Sequence, residues 1–292
     1  MHYKLLVSKY TSIKQLLNSH LIKILSTNTY IVEKVHIKVG KNHLYKDRDE
    51  SSILYISSVA LQLSKSQNRK TMELASAIAS DLSRTCGDVF SIQIVPPGCI
   101  HFELTHLKLA TWLQSLAVGS LGGEREQGED EETINAPYPM SNSLFAVQYA
   151  HARCCSLVLL AHREGLIKLR EPVPNTSPDF WSVISPNPLP WLNCDGRLRL
   201  NHPDERHLIA ELVQVVDNIE CPDISGSVKW EKVALSLSQA FENFWSNCRI
   251  WGEVKISSPE LAQARLGLLM ATQSVLRFVL EENLGIVAPL EL

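Results

Sequence analysis

Apolar residues recur with a 3.6-residue period along much of the C-terminal half. Trp230, Val233, Ala234, Leu237, Ala240, Phe241, Phe244, Trp245 and Cys248 make one stripe; Leu208, Ile209, Leu212, Val215, Val216 and Ile219 make another. This spacing predicts helices that each turn a wide apolar face to a core. Pro203 suits the first turn of the helix it opens, because proline has no N–H where none is needed. Ser258-Pro259-Glu260 has the same logic. It offers a capping hydroxyl, then proline, then an acid near the positive helix end. The last helix is expected to run to about Asn283, with Gly285 supplying a left-handed turn.

The N-terminal part reads as mixed α and β. Residues 30–39 and 90–95 have strand character, and they flank a helical pattern over residues 71–83. In the first 25 residues Leu5, Leu6, Leu16, Leu17, Leu21, Ile22 and Leu25 are interrupted by Lys4, Lys9, Lys14 and Lys23. A signal peptide needs an unbroken apolar centre, so this stretch predicts an amphipathic first helix. No run of apolar residues approaches a membrane span.

Between the two parts, residues 119–141 begin with Gly119, Gly122 and Gly123 and then a run of carboxylates. Glycine raises the entropy lost on ordering, the acids repel one another, and little apolar surface is available to bury. The expected organisation is therefore an α+β domain over residues 1–118, an acidic linker over 119–141 and a helical domain over 142–292. Residues 172–203 read as a long proline-punctuated loop anchored by Phe180, Trp181 and Trp191.

Composition adds two points. The chain has 292 residues, 45% of them hydrophobic, enough for two cores. Its seven cysteines, with Cys154 and Cys155 adjacent and no Cys-x-x-Cys pair, argue against a disulfide framework and fit a reducing cytoplasm. The net charge of −3 hides an asymmetry, since residues 1–118 hold 14 Lys+Arg against 8 Asp+Glu. A basic domain can attract a phosphate backbone even when the whole chain is acidic, although Lys-rich helices can also simply solvate a surface.

The densest candidate chemistry is Gln148-Tyr149-Ala150-His151-Ala152-Arg153, where an amide, a phenol, an imidazole and a guanidinium leave one helical end. It is followed by Phe244-Trp245-Ser246-Asn247-Cys248-Arg249, by Ala264-Arg265-Leu266, and by Leu284-Gly285-Ile286-Val287-Ala288-Pro289. This order and spacing resembles the DALR anticodon-binding domain of arginyl-tRNA synthetases, over roughly residues 142–292. Upstream, Ile53 to Leu63 and Ile94-Val95-Pro96-Pro97-Gly98-Cys99-Ile100-His101-Phe102-Glu103-Leu104 look like the additional N-terminal domain of the same enzymes. There a Gly-Pro-Gly-Phe-Ile-Asn turn precedes an edge strand that approaches the outer corner of tRNA. This chain departs from it at Pro96, Cys99 and His101.

The resemblance implies an α+β N-terminal domain followed by an all-α bundle of the DALR type. It also implies a partner, tRNA, and specifically an arginine isoacceptor. Unstacked anticodon bases can be read by aromatic or guanidinium planes and by hydrogen bonds to their edges. The implied contacts are Tyr149 and Arg153, then Gln148 and His151 at the same helix end, Arg249 and Arg265, and Phe102 in the N-terminal domain. For each, the competing reading is a bond that knits the fold together. In a synthetase the catalytic domain lies between these two regions, whereas some twenty-five residues separate them here, and no His-x-Gly-His signature occurs. The chain is therefore expected to be catalytically silent, a pseudoenzyme with no cofactor.

Other constellations are weaker. His151, Cys154 and Cys155 share residue types with zinc sites but lack a fourth ligand, and the next histidine, His162, is three turns away. Core packing of the two cysteines is the stronger reading. His202-Pro203-Asp204-Glu205-Arg206-His207 reads as a solvated helix start, and Gly122-Gly123 opens no phosphate-binding helix. The alternative to a tRNA-binding role is a helical bundle that docks a protein such as a tRNA-modifying enzyme or a synthetase.

Overall fold

A computed structural model describes residues 12–27, 43–118, 142–170, 183–221 and 228–292. These form two compact units, neither continuous in sequence. The first draws on Met1–Ala110, Cys194–Leu198 and Val213–Val228; the second on Thr111–Asn193, Arg199–Leu212 and Lys229–Leu292. The acidic segment 119–141 and the strand expected at 30–39 lie outside the described residues.

The first unit contains α1 (Ile13–Thr27), β1 (Leu44–Lys46), β2 (Leu54–Ser57), α2 (Val59–Gln67), α3 (Thr71–Cys86), β3 (Phe90–Val95) and β4 (Cys99–Leu104), and the start of α4 (His106–Val118). The strands form an antiparallel sheet in the order β1-β2-β4-β3. Strand periodicity assigns its two faces. Ile100, Phe102 and Leu104 alternate inward on β4, as do Tyr55 and Ser57 on β2, while Glu103 on β4 and Ser91, Gln93 and Val95 on β3 are exposed. Leu74, Ile78 and Leu82 of α3 and Leu17 and Leu21 of α1 complete this core. The β3–β4 turn closes with Gly98 N–H donating to Val95 O at 2.9 Å. Gly98 has φ +131°, and a Cβ there would stand 2.4 Å from Thr71 Cγ2, so glycine is required twice over.

The second unit is built on α5 (Asn142–Arg163), α7 (Trp230–Asn247), α8 (Glu253–Ser257) and α9 (Pro259–Phe278), which continues as a π-helical turn over Val279–Asn283. The expected stop is present, with Gly285 at φ +64°. Its bundle is not all-α, because β5 (Lys168–Leu169) and β6 (Val183–Ser185) pair antiparallel within it. Helix α6 (Pro203–Glu220) starts at the expected proline; its residues up to Leu212 count with this unit and the rest with the first. Helix α9 starts at Pro259 as expected, but Ser258 makes no side-chain capping bond.

Helix α9 is buried continuously from Leu266 to Leu276 and packs against α5 and α7. Contrary to the expectation that no stretch approaches a membrane span, Ser143–Arg163 of α5 is long and apolar enough to cross one by length and composition, and 56% of its most apolar window is buried inside the protein. Its apolarity serves the bundle core. Of the loop anchors, Trp191 is buried as expected, while Phe180 and Trp181 lie outside the described residues. Gln114 Oε1 accepts from Leu189 N–H at 3.0 Å and from Trp191 Nε1–H at 2.7 Å. Gly267 of α9 lets that indole approach, since a Cβ there would lie 2.6 Å from Trp191 Cη2.

Candidate nucleic-acid interface

Phe145, Tyr149 and Arg153 fall at i, i+4 and i+8 on α5 and are all exposed, Phe145 by 49% and Tyr149 by 48%. This spacing lines them along one helical face. Arg153 Cζ lies 5.3 Å from the ring centroid of Trp245 on α7, within cation–π range. Trp245 in turn meets Trp251 edge to face, with centroids 5.7 Å apart and planes at 75°. The result is a solvent-facing row of a phenyl ring, a phenol and a guanidinium held over an indole. Such a surface suits the flat faces of unpaired bases, and the fixed cation suits their phosphates.

The remaining residues expected at this site have internal partners. His151 is fully buried on the face of α5 opposite solvent, with Nδ1 2.8 Å from Pro289 O and Nε2 2.9 Å from Gln273 Nε2. Burial lowers its pKa to about 4, so the ring is neutral. Gln148 Nε2 donates to Val287 O at 2.9 Å and helps hold the C-terminal segment. Cys154 and Cys155 are buried, and their thiols are pushed up by desolvation, Cys155 to about 11. Core packing explains both.

Arg265 is half-buried, and its guanidinium is engaged within the unit. Its Nε donates to Glu205 Oε1 at 2.6 Å and its guanidinium donates to Arg249 O at 2.6 Å. Glu205 is only 1% exposed, and its other oxygen accepts His202 N–H at 2.7 Å, so it caps α6 from the third helical position. The His202–His207 stretch is thus a helix start built around a buried ion pair. Arg249 itself is exposed. Phe102 is fully buried and packs edge to face on Phe90 at 6.3 Å. It cannot stack on a base without leaving the core. On the other face of β4, His101 lies in register with Ile56 and Gln93.

Tyr149 and Arg153 are therefore the expected residues that the structure leaves on the surface together, with Arg249 on the segment after α7. Sequence reasoning missed Phe145 as an exposed aromatic, and it read Trp245 as part of a core stripe and of the Phe244–Arg249 motif, not as the support of Arg153. Gln273 was also missed, and Pro289 was read only within the Leu284–Pro289 motif, because their contacts with His151 span 122 and 138 residues.

The helical unit thus carries an exposed aromatic and cationic row on its long helix. The model of the DALR anticodon binding domain matches residues 147–292, and this chain belongs to that family. It is similar to the arginine–tRNA ligase of Synechococcus sp. (strain JA-3-3Ab), 32% identical over 149 residues, which is 51% of this chain and 22% of the relative. It is likewise similar to the arginine–tRNA ligase of Salinibacter ruber, 32% identical over 149 residues (51% and 22%). The chloroplastic/mitochondrial arginine–tRNA ligase of Arabidopsis thaliana is 30% identical over 138 residues (47% and 17%). The chain spans about a fifth of the length of the curated relatives it matches. It is arginyl-tRNA synthetase-like, and its 292 residues lack the catalytic domain. No solved structure matches the chain.

Proposed function

We propose that this chain binds tRNA through the Phe145–Tyr149–Arg153 row without charging it, and that its partner is an arginine isoacceptor held at the anticodon loop. The observation that carries this reading is the placement of Arg153 over Trp245 beside an exposed Tyr149. Aromatic and guanidinium planes stack on bases without needing a helix to read, which matches a single-stranded loop. The similarity to arginine–tRNA ligases supports the choice of tRNA and of arginine. Seven free thiols suit a reducing compartment such as the cytoplasm.

Fluorescence anisotropy of the full chain with an anticodon stem-loop of an arginine tRNA tests the reading. Binding should fall steeply with salt, as phosphate contacts release counterions. Purified protein with ATP, arginine and tRNA should show neither pyrophosphate exchange nor aminoacylation. A chain that ignores the stem-loop but captures a synthetase or a tRNA-modifying enzyme with little salt dependence would replace this reading with the protein-docking one.

A further inference from the structure

The C-terminal segment after the π-helical turn is tied to the helical unit by hydrogen bonds to its backbone. Ile286 N–H donates to Leu280 O at 2.8 Å, Gln148 Nε2 to Val287 O at 2.9 Å, and Pro289 O sits 2.8 Å from His151 Nδ1. Gln148 and His151 belong to the turn of α5 that carries Tyr149. These bonds run through the backbone of the segment, in which Leu284, Ile286, Ala288 and Pro289 are half-buried while Val287 is 76% and Leu292 64% exposed.

The chemistry of the His151 ring is over-determined. Pro289 O is a carbonyl and can only accept, so Nδ1 must carry a proton. A neutral ring has one proton, which leaves Nε2 as an acceptor, and Gln273 must then present its NH2 to it at 2.9 Å. Both ring positions are thereby committed: Pro289 O sets the tautomer, and the Gln273 NH2 on α9 satisfies the nitrogen left bare. Cys155 Sγ, 3.9 Å from Nε2 and 4.0 Å from Nδ1, is a protonated thiol and a weak partner to either.

We propose that Gln273 is a positioning residue for the RNA-binding face: its NH2 satisfies the bare Nε2 of the His151 tautomer that pins the C-terminal segment at Pro289 to the turn of α5 bearing Tyr149. This inference rests on the RNA-binding reading for its consequence but not for its geometry. A carboxylate at position 273 would reverse the logic. It would accept from Nε2–H, so the Pro289 bond would survive only while the ring carries both protons. The groups facing the ring are Cys155 on α5 and Arg277 on α9, whose guanidinium is paired with Glu281 at 3.1 Å. Arg277 opposes the imidazolium, and the new carboxylate favours it.

The test uses the full chain and three readouts. Ring nitrogen chemical shifts of 15N-histidine-labelled protein report the tautomer. Hydrogen exchange at residues 285–292 reports attachment of the segment, and stem-loop anisotropy reports the face. Wild type should show the Nδ1–H form, and protection factors and affinity that stay flat between about pH 6 and 9, since its ring titrates near 4. Gln273→Glu should show a doubly protonated ring at low pH, then falling protection factors and about three- to tenfold weaker stem-loop binding as that proton leaves. His151→Asn, which can still donate to Pro289 O, should retain attachment, whereas His151→Leu should lose it. An Nε2–H tautomer in wild type overturns the proposal, and so does a Gln273→Glu protein with pH profiles as flat as wild type. If Gln273→Glu does not fold, the wild-type tautomer and the Asn/Leu pair still decide. If wild type does not bind the stem-loop, the RNA-binding reading fails while tautomer and exchange still judge the latch.

Discussion

Asp217 Oδ1 accepts the hydroxyl of Ser12 at 2.6 Å, joining positions 205 residues apart inside the first unit. The same oxygen accepts Lys14 N–H at 3.1 Å, and Oδ2 accepts the Tyr55 hydroxyl. Glu220, one turn further along α6, accepts Ser12 N–H. Ser12 also caps α1 through Oγ, which takes Gln15 N–H at 2.9 Å. The last turns of α6 thus supply the acceptors for the first turn of α1 and for a wholly buried tyrosine on β2. Burial raises the Asp217 pKa despite these donors, and it raises that of Tyr55 with the carboxylate beside it.

Cutting the chain at the acidic linker should therefore harm the N-terminal piece. A fragment of residues 1–118 keeps Ser12, Lys14 and Tyr55 but loses the carboxylates that satisfy them. Within the full chain, Asp217→Ala should cost roughly 2–4 kcal/mol, the penalty for stranding several buried donors. Urea unfolding of the variant and of the fragment checks both. A fragment that unfolds as cooperatively as the intact first unit, or an Asp217→Ala variant within about 0.5 kcal/mol of wild type, would show that the cluster contributes little.

Substitutions at the candidate interface should separate surface roles from structural ones. Tyr149→Ala should weaken stem-loop binding by about 1–3 kcal/mol, the value of a base stacked on an aromatic ring. Arg153→Ala should weaken it to a similar degree through loss of a cation near phosphates. Neither should move the melting temperature much. Arg265→Ala should do the reverse, destabilising by about 3–5 kcal/mol because it leaves Glu205 buried and unpaired. Thermal melts run beside anisotropy titrations distinguish the two patterns, and an Arg153→Ala protein that melts like Arg265→Ala would make Arg153 structural.

Much of the fold was legible because single-residue chemistry sets element ends. Pro203, Pro259 and Gly285 act through φ and the missing N–H, and β3 was readable from its β-branched alternation. Part of the site was readable but misread. Ile100-His101-Phe102-Glu103-Leu104 alternates, so Phe102 shares the apolar face of Ile100 and Leu104. His151 similarly falls with Val147, Cys154, Cys155 and Val158 on the buried side of α5, leaving Tyr149 and Arg153 on the other. Asp217 and Gln273 were not readable, since a polar residue on a helix carries no local sign of a partner more than a hundred positions away.

Gly267 gives a test of packing at the α9 contact. A methyl group there would meet Trp191 Cη2 at 2.6 Å and Leu189 Cδ1 at 2.8 Å, and both residues are buried. The indole is also tethered through Nε1 to Gln114, so it cannot retreat without losing that bond. Gly267→Ala should therefore cost about 1–3 kcal/mol, the usual range for overpacking, despite alanine's better helix propensity. Trp191→Phe, which thins the ring and removes the tether, should recover part of that loss in the double variant. Additive losses in a double-mutant cycle would show that the two sites do not meet.

The pH dependence of stability carries a signature of His151. Its pKa is about 4 in the folded protein against an ordinary 6.5, so folding favours the neutral ring. Above pH 6.5 neither state binds the proton and the contribution is fully present. Below 6.5 the unfolded chain takes up a proton that the folded one refuses, so stability falls until the folded ring protonates near pH 4. The total is about 3 kcal/mol at most. Asp217 works in the opposite sense, because its raised pKa favours the folded state as the solution becomes more acidic. Comparing wild type with His151→Asn removes that second effect, since both proteins carry Asp217. The difference in unfolding free energy between the two should narrow by about 2 kcal/mol from pH 7.5 to pH 5, as the unfolded wild-type histidine binds its proton over most of that range. A difference that stays constant across this window would mean that His151 is as easily protonated in the folded bundle as in the unfolded chain.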